Sequence, residues 1–348
     1  MSTHAAPHRE RADVGELPAP YSPWRLARRS LPALAGLAAI VLVVLLAPGL
    51  GEVRDHLDEA GPAWLVLAVA LEVASSVSYV LMFRAVFCDR MQWRLSAEIG
   101  LSEVAMGSIV PASGAGGLAL GAWILRRRGM SGERIARRSI AFFLIKSSVN
   151  FVAVAVVGVV MAAGLVGPHL SLALTALPAA MSIALIAAVI LVPRFGPGRE
   201  PAAAAGRMRR AASAARRWLV LGTSEAIELV RLRDLTLVVG AIGYWAFDNA
   251  MLWATFRAVG DVPPLSVVLM GYLIGQLGGL LPLPGGIGGI DGGLIGALVV
   301  YGAPVAATAA AVVLFRLILF WVPLVMGVPA FLLLTRRLRR DAYAQESV

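Results

Sequence analysis

The sequence predicts an all-α integral membrane protein with about six full transmembrane helices plus two re-entrant helical hairpins in an inverted-topology repeat. Of its 348 residues, 59% are hydrophobic and 15% are charged, whereas roughly a quarter are charged in soluble domains. Apolar runs of about 20 residues, long enough to cross the hydrocarbon core, recur along the chain. A set of landmarks also occurs twice, which is typical of membrane transporters and not of soluble enzymes.

The duplicated landmarks begin with the tetrapeptide Phe-Arg-Ala-Val at residues 83–86 and 256–259. Each copy is followed by a Leu-Ser pair, by a Pro/Gly-rich break that opens at Pro111 or Pro282, and by one base within an apolar run. The bases are Lys146 and Arg316, which lie 35 and 34 residues after the start of their breaks. This order predicts two repeat halves, at about 63–165 and 236–335, joined by a span and a basic cytoplasmic segment at 193–235.

In the first half, charge and length set the predicted topology. Residues 1–30 are predicted to form a disordered cytoplasmic tail. An uncleaved span follows at 31–50, since no small-x-small cleavage site precedes the acidic stretch after it. After a span at 63–83, the segment 96–125 is basic at both ends and too short for two crossings. It is therefore predicted to be a hairpin that enters and leaves on the cytoplasmic side, with its tip near 111–117.

The rest of the chain is predicted from the same criteria. Spans at 139–163 and 172–192 lead to a basic helix at 202–235 along the inner membrane surface. A span at 236–256 precedes a second hairpin at 263–304, for which two ordinary spans are the alternative. The last span, 305–334, ends in a cytoplasmic tail at 336–348. Both termini are then cytoplasmic, and the two hairpins open from opposite sides of a bacterial-type plasma membrane.

Two buried bases are the first candidates for a binding site. Lys146, the only lysine, lies inside an apolar span, where a charge costs about 2.5–3.5 kcal/mol. It is expected either to face a central cavity or to reach the cytoplasmic interface through its flexible stem. Arg316 lies deeper in its span and is expected either to bind substrate or to lock helices in an ion pair with a carboxylate.

Five carboxylates are candidates beside these bases. Glu72 and Asp248 lie in mid-span, and we expect them either to pair with the bases or to take up protons. Glu103 and Asp291 belong to the hairpins and are predicted to line a cavity. Glu98 lies near a basic flank and is expected at the membrane interface.

Glycines at the two breaks permit close backbone approach to a ligand. A helix that starts after each break would direct its N–H groups toward the midplane, where they favour an anion such as a phosphate. Tight helix packing by small residues is the alternative. The glycines predicted to bind substrate are Gly114, Gly117, Gly285, Gly286 and Gly288, with Gly116 and Gly289 beside them.

The sequence Pro-Gly-Gly-Ile-Gly-Gly-Ile-Asp at 284–291 resembles a motif of the lysylphosphatidylglycerol-synthase transmembrane-region family, also called flippase-like domain proteins. Residues 111–117, followed by Arg-Arg-Arg-Gly at 126–129, resemble the first-half signature of that family. The resemblance covers about residues 60–335. It implies a polytopic inner-membrane protein suspected of moving lipids between leaflets, sometimes fused to aminoacyl-lipid synthases or paired with glycosyltransferases.

The chain departs from the family pattern at two places. Asp291 stands where the family commonly has Glu. In the first half, Leu118, Ala119 and Leu120 occupy positions where members often carry an acidic residue and an arginine. No synthase domain follows Val348, so lysyl transfer is not expected.

We therefore expect a flippase or transporter for an anionic lipid or lipid-linked phosphate, with the two bases engaging the head group. The alternative is a non-transporting scaffold or accessory subunit that recruits a lipid- or glycan-modifying enzyme, such as a glycosyltransferase, through the basic segment. No enzymatic activity, nucleic-acid partner, cofactor or metal is expected. The single cysteine, Cys88, excludes an internal disulfide, and zinc-protease and nucleophile-elbow patterns are absent from the sequence.

Overall fold

The structure is a computed structural model that describes residues 23–47, 49–88, 91–109, 115–196, 198, 206–232, 234–276 and 289–346. These ranges consist of α-helices, turns and one short 3-10 turn at 192–195, and they contain no strand. The helices are α1 Pro23–Leu46, α2 Gly51–Asp58, α3 Pro62–Phe87, α4 Trp93–Ile109, α5 Ala115–Arg127, α6 Gly132–Ala162, α7 Ala176–Leu191, α8 Arg207–Arg231, α9 Leu235–Val259, α10 Leu265–Gln276, α11 Gly289–Val300 and α12 Val305–Glu346.

Five of the described helices are long and apolar enough to cross a membrane: α3, α6, α7 with its 3-10 turn, α9 and α12. A sixth crossing results if α1 and α2, which meet at an angle of 105°, are counted as one span. The predicted fold class, an all-α integral membrane protein, is confirmed. The predicted spans and the observed long helices coincide in order.

Local sequence signals explain where the long helices begin and end. Pro62 occupies the first position of α3, where a missing N–H costs nothing. Ser131 caps α6 by accepting a hydrogen bond from the backbone N–H of Arg134 at 3.3 Å. Asp234 caps α9 in the same way through the N–H of Thr236 at 2.8 Å, and Gly260 ends that helix with a φ of 95°.

The helices at the two predicted hairpins are short. Helices α10 and α11 contain 12 residues each, about 18 Å at 1.5 Å per residue, whereas the hydrocarbon core is about 30 Å thick. Helix α4 packs against α5, and α10 packs against α11. Gly275 makes the second contact possible, because a Cβ atom there would lie 2.5 Å from the Cα atom of Leu294.

The order of long, short, short and long helices occurs twice, in α3–α6 and in α9–α12. The turns before α6 and α12 also match. Gly129 and Gly302 have φ angles of 87° and 97°. In each turn, the next residue donates its N–H to the carbonyl five residues back, at 3.0 Å. The two turns are 173 residues apart, which is also the separation of the two tetrapeptides.

Helices α3 and α9 form the most extensive helix contact, and they are antiparallel. The N–H of Gly61 at the start of α3 donates to the carbonyl of Ala258 at the end of α9, at 2.9 Å. Near the other end, Gly240 lies against the backbone of Met82. A Cβ atom at Gly240 would lie only 2.6 Å from the backbone nitrogen of Met82. The two tetrapeptides therefore lie at opposite ends of the helix pair.

Each short hairpin packs against the last long helix of the other half. Helix α4 contacts α12, and α10 contacts α6. Exchanging the two halves thus maps these two contacts onto each other, with the α3–α9 pair between them.

Several predicted boundaries differ from the structure. Helix α1 begins at Pro23, within the predicted tail, because proline favours a first helical turn and helix formers follow it. Helix α12 continues to Glu346, because Leu, Arg, Ala and Gln sustain a helix and no glycine or proline interrupts it after Pro329. Helix α1 also contradicts the disorder predicted for residues 23–30. Residues 1–22, the break residues 110–114 and 277–288, and with them Gly114, Gly285, Gly286 and Gly288, lie outside the described residues.

Candidate functional site

A buried polar cluster occupies the centre of the α3–α9 interface, and Asp248 of α9 is its most connected member. The hydroxyl of Ser75 on α3 donates to Asp248 Oδ1 at 2.9 Å, and the hydroxyl of Tyr272 on α10 donates to Oδ2 at 2.8 Å. Asp248 is 4% exposed. Both halves of the chain thus supply hydrogen bonds to one buried carboxylate.

Glu103 brings a second carboxylate to this region from α4. It is 3% exposed and accepts a hydrogen bond at 3.0 Å from the hydroxyl of Tyr79 on α3. Its carboxylate fills the space that a side chain at Gly121 of α5 would need. The first hairpin therefore contributes an acidic group from its first helix, although the family pattern places one after the break.

Lys146 of α6 lies next to these groups without pairing to either carboxylate. Its Nζ atom is 5.3 Å from the ring centroid of Tyr244, and that ring is 5.8 Å from the ring of Tyr79. Asp248 and Glu103 are the carboxylates that act electrostatically on the ammonium group. Within the described part of the chain Lys146 forms no ion pair, so its charge is balanced only by aromatic faces and by carboxylates at a distance.

Glu72 of α3 adds a third carboxylate. It is 3% exposed, and its Oε2 atom has no hydrogen-bond partner among the described residues. The charged group that acts most strongly on it is Asp248. Together with Glu103, these residues place three carboxylates, each 3–4% exposed, and the half-buried ammonium group of Lys146 in one region.

Arg316 and Asp291 form a separate ion pair between α12 and α11. Arg316 Nε lies 3.3 Å from Asp291 Oδ1, with side-chain exposures of 13% and 11%. Phe315, the residue before the arginine, packs its ring edge-on against Tyr272, with centroids 6.3 Å apart. The ion pair is thus connected through two aromatic rings to the cluster around Asp248.

The structure brings some predicted site residues together and separates others. Lys146, Glu103, Glu72 and Asp248 share one cluster, whereas Arg316 and Asp291 form their own pair. Gly117 lies in the first turn of α5. Glu98 is tied to Arg337 of α12 at 2.9 Å.

The two bases do not occupy equivalent places in the repeat. Lys146 follows Gly129 by 17 residues, and Arg316 follows Gly302 by 14. When the sequences of the two halves are aligned at Gly129 and Gly302, the two bases differ in position by three residues, which is about one helical turn. This shift explains why one base joins the central cluster while the other faces the start of α11.

Sequence reasoning missed the hydroxyl groups of the cluster, on Ser75, Tyr79, Tyr244 and Tyr272. One signal could have found part of them: polar residues recur on α3 at 72, 75, 76 and 79, a spacing that places them on one helical face. No group of three or more His, Cys, Asp or Glu side chains suited to a metal occurs among the residues described.

Comparisons with known proteins bear on the same helices. The sequence profile described as "Lysylphosphatidylglycerol synthase TM region" matches residues 33–327, which include every residue of the cluster and the ion pair. A UPF0104 membrane protein of Methanothermobacter thermautotrophicus is 25% identical over 315 residues, covering 85% of this chain and 92% of that relative. A UPF0104 membrane protein match from the same organism is 36% identical over 91 residues, 26% of each chain.

Proposed function

Because the chain belongs to the lysylphosphatidylglycerol synthase TM region family, and therefore is a multi-pass membrane protein, we propose that it moves an anionic lipid or lipid-linked phosphate between the leaflets of the membrane. The proposed activity is movement of the lipid, not its chemical modification. The proposal places the protein in a plasma membrane with both termini in the cytoplasm.

An inverted repeat is part of this proposal. The two sets of four helices have the same order, and their first helices, α3 and α9, pack antiparallel. Equivalent elements that run in opposite directions give the two halves opposite orientations in the membrane. In transporters of this design the substrate site lies near the midplane, where the halves meet. The cluster around Asp248 lies at this junction.

The observation that carries the proposal is the state of Lys146. A lysine inside a membrane helix normally pairs with a carboxylate or reaches the interface. Among the described residues Lys146 forms no ion pair, and its Nζ atom lies 5.3 Å from the Tyr244 ring centroid, in a cluster between the two halves. An ammonium group held in this way remains available to a phosphate, and Arg316 is expected to contact the same head group from the second half.

Lipid movement in reconstituted vesicles tests this function. We expect the full-length protein to carry a fluorescent phosphatidylglycerol analogue, or a short-chain polyprenyl phosphate, across the bilayer, and to leave phosphatidylcholine largely in place. Lys146→Met should slow this movement by roughly 10- to 100-fold, as expected for the loss of a charged hydrogen bond. Lys146→Arg, which keeps the charge, is the matched control and should retain more activity. Equal rates in wild type and Lys146→Met would refute the role of the lysine.

A second candidate function is a scaffold that recruits a lipid- or glycan-modifying enzyme, and α8 favours it. The N-terminal half of this helix is largely exposed and carries Arg207, Arg209 and Arg210, while its C-terminal half docks on α6, where Glu225 pairs with Arg138 at 3.0 Å. Replacing these three arginines with glutamine separates the two functions. If the protein is a transporter, the arginine variant should still move lipid. If it is a scaffold, the arginine variant should lose the cellular function of the protein, whereas Lys146→Met should retain that function.

A further inference from the structure

Glu72 and Asp248 are a buried carboxylate pair without a matching cation. They lie on facing helices, α3 and α9, and each is at least nine-tenths buried. The Oε2 atom of Glu72 has no partner among the described residues. Two ionised carboxylates at such a site repel each other, and burial makes each charge costly. A folded protein that keeps both must neutralise one of them.

The surrounding groups do not supply that neutralisation. Tyr244 on α9 and Tyr272 on α10 act on both carboxylates, and Tyr79 on α3 and Glu103 on α4 lie beside Tyr244 and Lys146. None of these four side chains carries a positive charge. Lys146 on α6 is the one cation that acts on this region within the described chain, and it stacks on Tyr244 without forming an ion pair. With one ammonium group and three carboxylates, the negative charges of the region are not neutralised, and at least one more positive charge is needed.

The oxygen atoms at the pair suit a small cation. Besides the four carboxylate oxygens, Ser75 lies within hydrogen-bond distance of Asp248. Ser76 lies one turn from Glu72 on the same face of α3, is 1% exposed, and has an unpartnered hydroxyl. Carboxylate and hydroxyl oxygens are hard ligands, which prefer hard cations over soft metals.

We propose that Glu72 and Asp248 bind one monovalent cation, a proton or Na+, and that its binding is coupled to lipid movement. This inference rests on the proposed transport function and adds its energy source. The site lies at the junction of the two halves, so filling it changes the charge balance where the halves must move against each other. A cation gradient across the membrane would then drive lipid in one direction.

The stability of the purified full-length protein tests the cation site without any transport assay. Binding to the folded state alone raises its thermal midpoint. If the cation is Na+, replacing choline chloride with NaCl should raise the midpoint of the wild type and not that of Glu72→Gln. If it is a proton, wild-type stability should fall as the pH rises, and Glu72→Gln should lack this fall. Glu98→Gln, at the carboxylate paired with Arg337, is the matched control and should respond as the wild type does. Identical responses of wild type and Glu72→Gln to both Na+ and pH would overturn the proposal.

Vesicles with an imposed gradient test the coupling. With the gradient of the identified cation, the wild type should accumulate the phosphatidylglycerol analogue in one leaflet, whereas Glu72→Gln should equilibrate it without net accumulation. If the wild type accumulated the phosphatidylglycerol analogue to the same extent with and without the gradient, the coupling would be refuted. Wild type that moves no anionic lipid at all, while its stability still depends on Glu72 and the cation, would refute the transport function and leave the cation site standing.

Discussion

Ser75 donates a hydrogen bond to Asp248 at 2.9 Å, and the two residues are 173 positions apart. The same separation relates the two Phe-Arg-Ala-Val segments and the two glycine turns. Ser75 and Asp248 are therefore equivalent positions of the two halves. Equivalent positions of a two-fold arrangement touch each other only on its axis, so the proposed inverted repeat would have its axis at this hydrogen bond.

Removing this hydrogen bond should weaken the junction modestly. We expect Ser75→Ala to lower the free energy of unfolding by about 0.6 kcal/mol and by no more than about 1.7 kcal/mol, the average and the maximum for hydrogen bonds between membrane helices. The matched control is Ser148→Ala on α6, whose exposed hydroxyl donates only to the carbonyl of Ile145 in its own helix. Reversible unfolding of the purified protein measures both changes. An equal loss in the two variants would contradict a special role for the central bond.

The Arg316–Asp291 pair should behave as a coupled unit. Arg316→Gln or Asp291→Asn alone removes one charge of the pair and leaves the opposite charge largely buried, so each should destabilise the protein more than the double change does. The coupling energy from the double-mutant cycle should be about 0.5–3 kcal/mol.

Lipid movement then separates the two interpretations of Arg316. We expect the double variant to regain stability while movement of the phosphatidylglycerol analogue stays impaired, because the guanidinium group is also expected to contact the head group. If the double variant regained both stability and lipid movement, the role of Arg316 would be only to hold α11 and α12 together.

The sequence was sufficient for the class of fold and the order of its elements. Apolar run length and basic flanks placed the long helices, and the duplicated landmarks located the short helices between them. Boundaries were less accurate. The continuation of α12 beyond residue 334 was missed because hydropathy falls at the arginines, whereas the backbone continues as a helix wherever helix formers persist.

The partners within the site were less predictable. Lys146, Glu103 and Asp248 were each identified from their isolated charges, but no local pattern indicates that a tyrosine on α10 bonds a carboxylate on α9. Such contacts depend on the rotation of packed helices about their axes. The one-turn offset between Lys146 and Arg316 shows this dependence, since matched spacing from the breaks predicted equivalent roles for the two bases.

Close packing within the second hairpin should make Gly275 intolerant of a larger residue. A Cβ atom there would lie 2.5 Å from the Cα atom of Leu294 and 3.0 Å from its Cβ atom, so α10 and α11 must separate. We expect Gly275→Ala to destabilise the protein by about 1–3 kcal/mol, as overpacking does. Gly292→Ala is the control, because no described residue lies within 4 Å of its added Cβ. Its stability should be unchanged or higher, and a similar loss in both variants would contradict the close contact.

The inverted arrangement of the two halves is tested most directly by the sidedness of equivalent positions. Gly132 and Val305 begin α6 and α12, follow the two glycine turns, and are both exposed. In a background with the buried Cys88 replaced by alanine, single cysteines at these positions can be labelled with a membrane-impermeant maleimide in intact cells. The account predicts that Val305→Cys reacts from outside and that Gly132→Cys reacts only after the membrane is permeabilised. Reaction of both cysteines from the same side would contradict it.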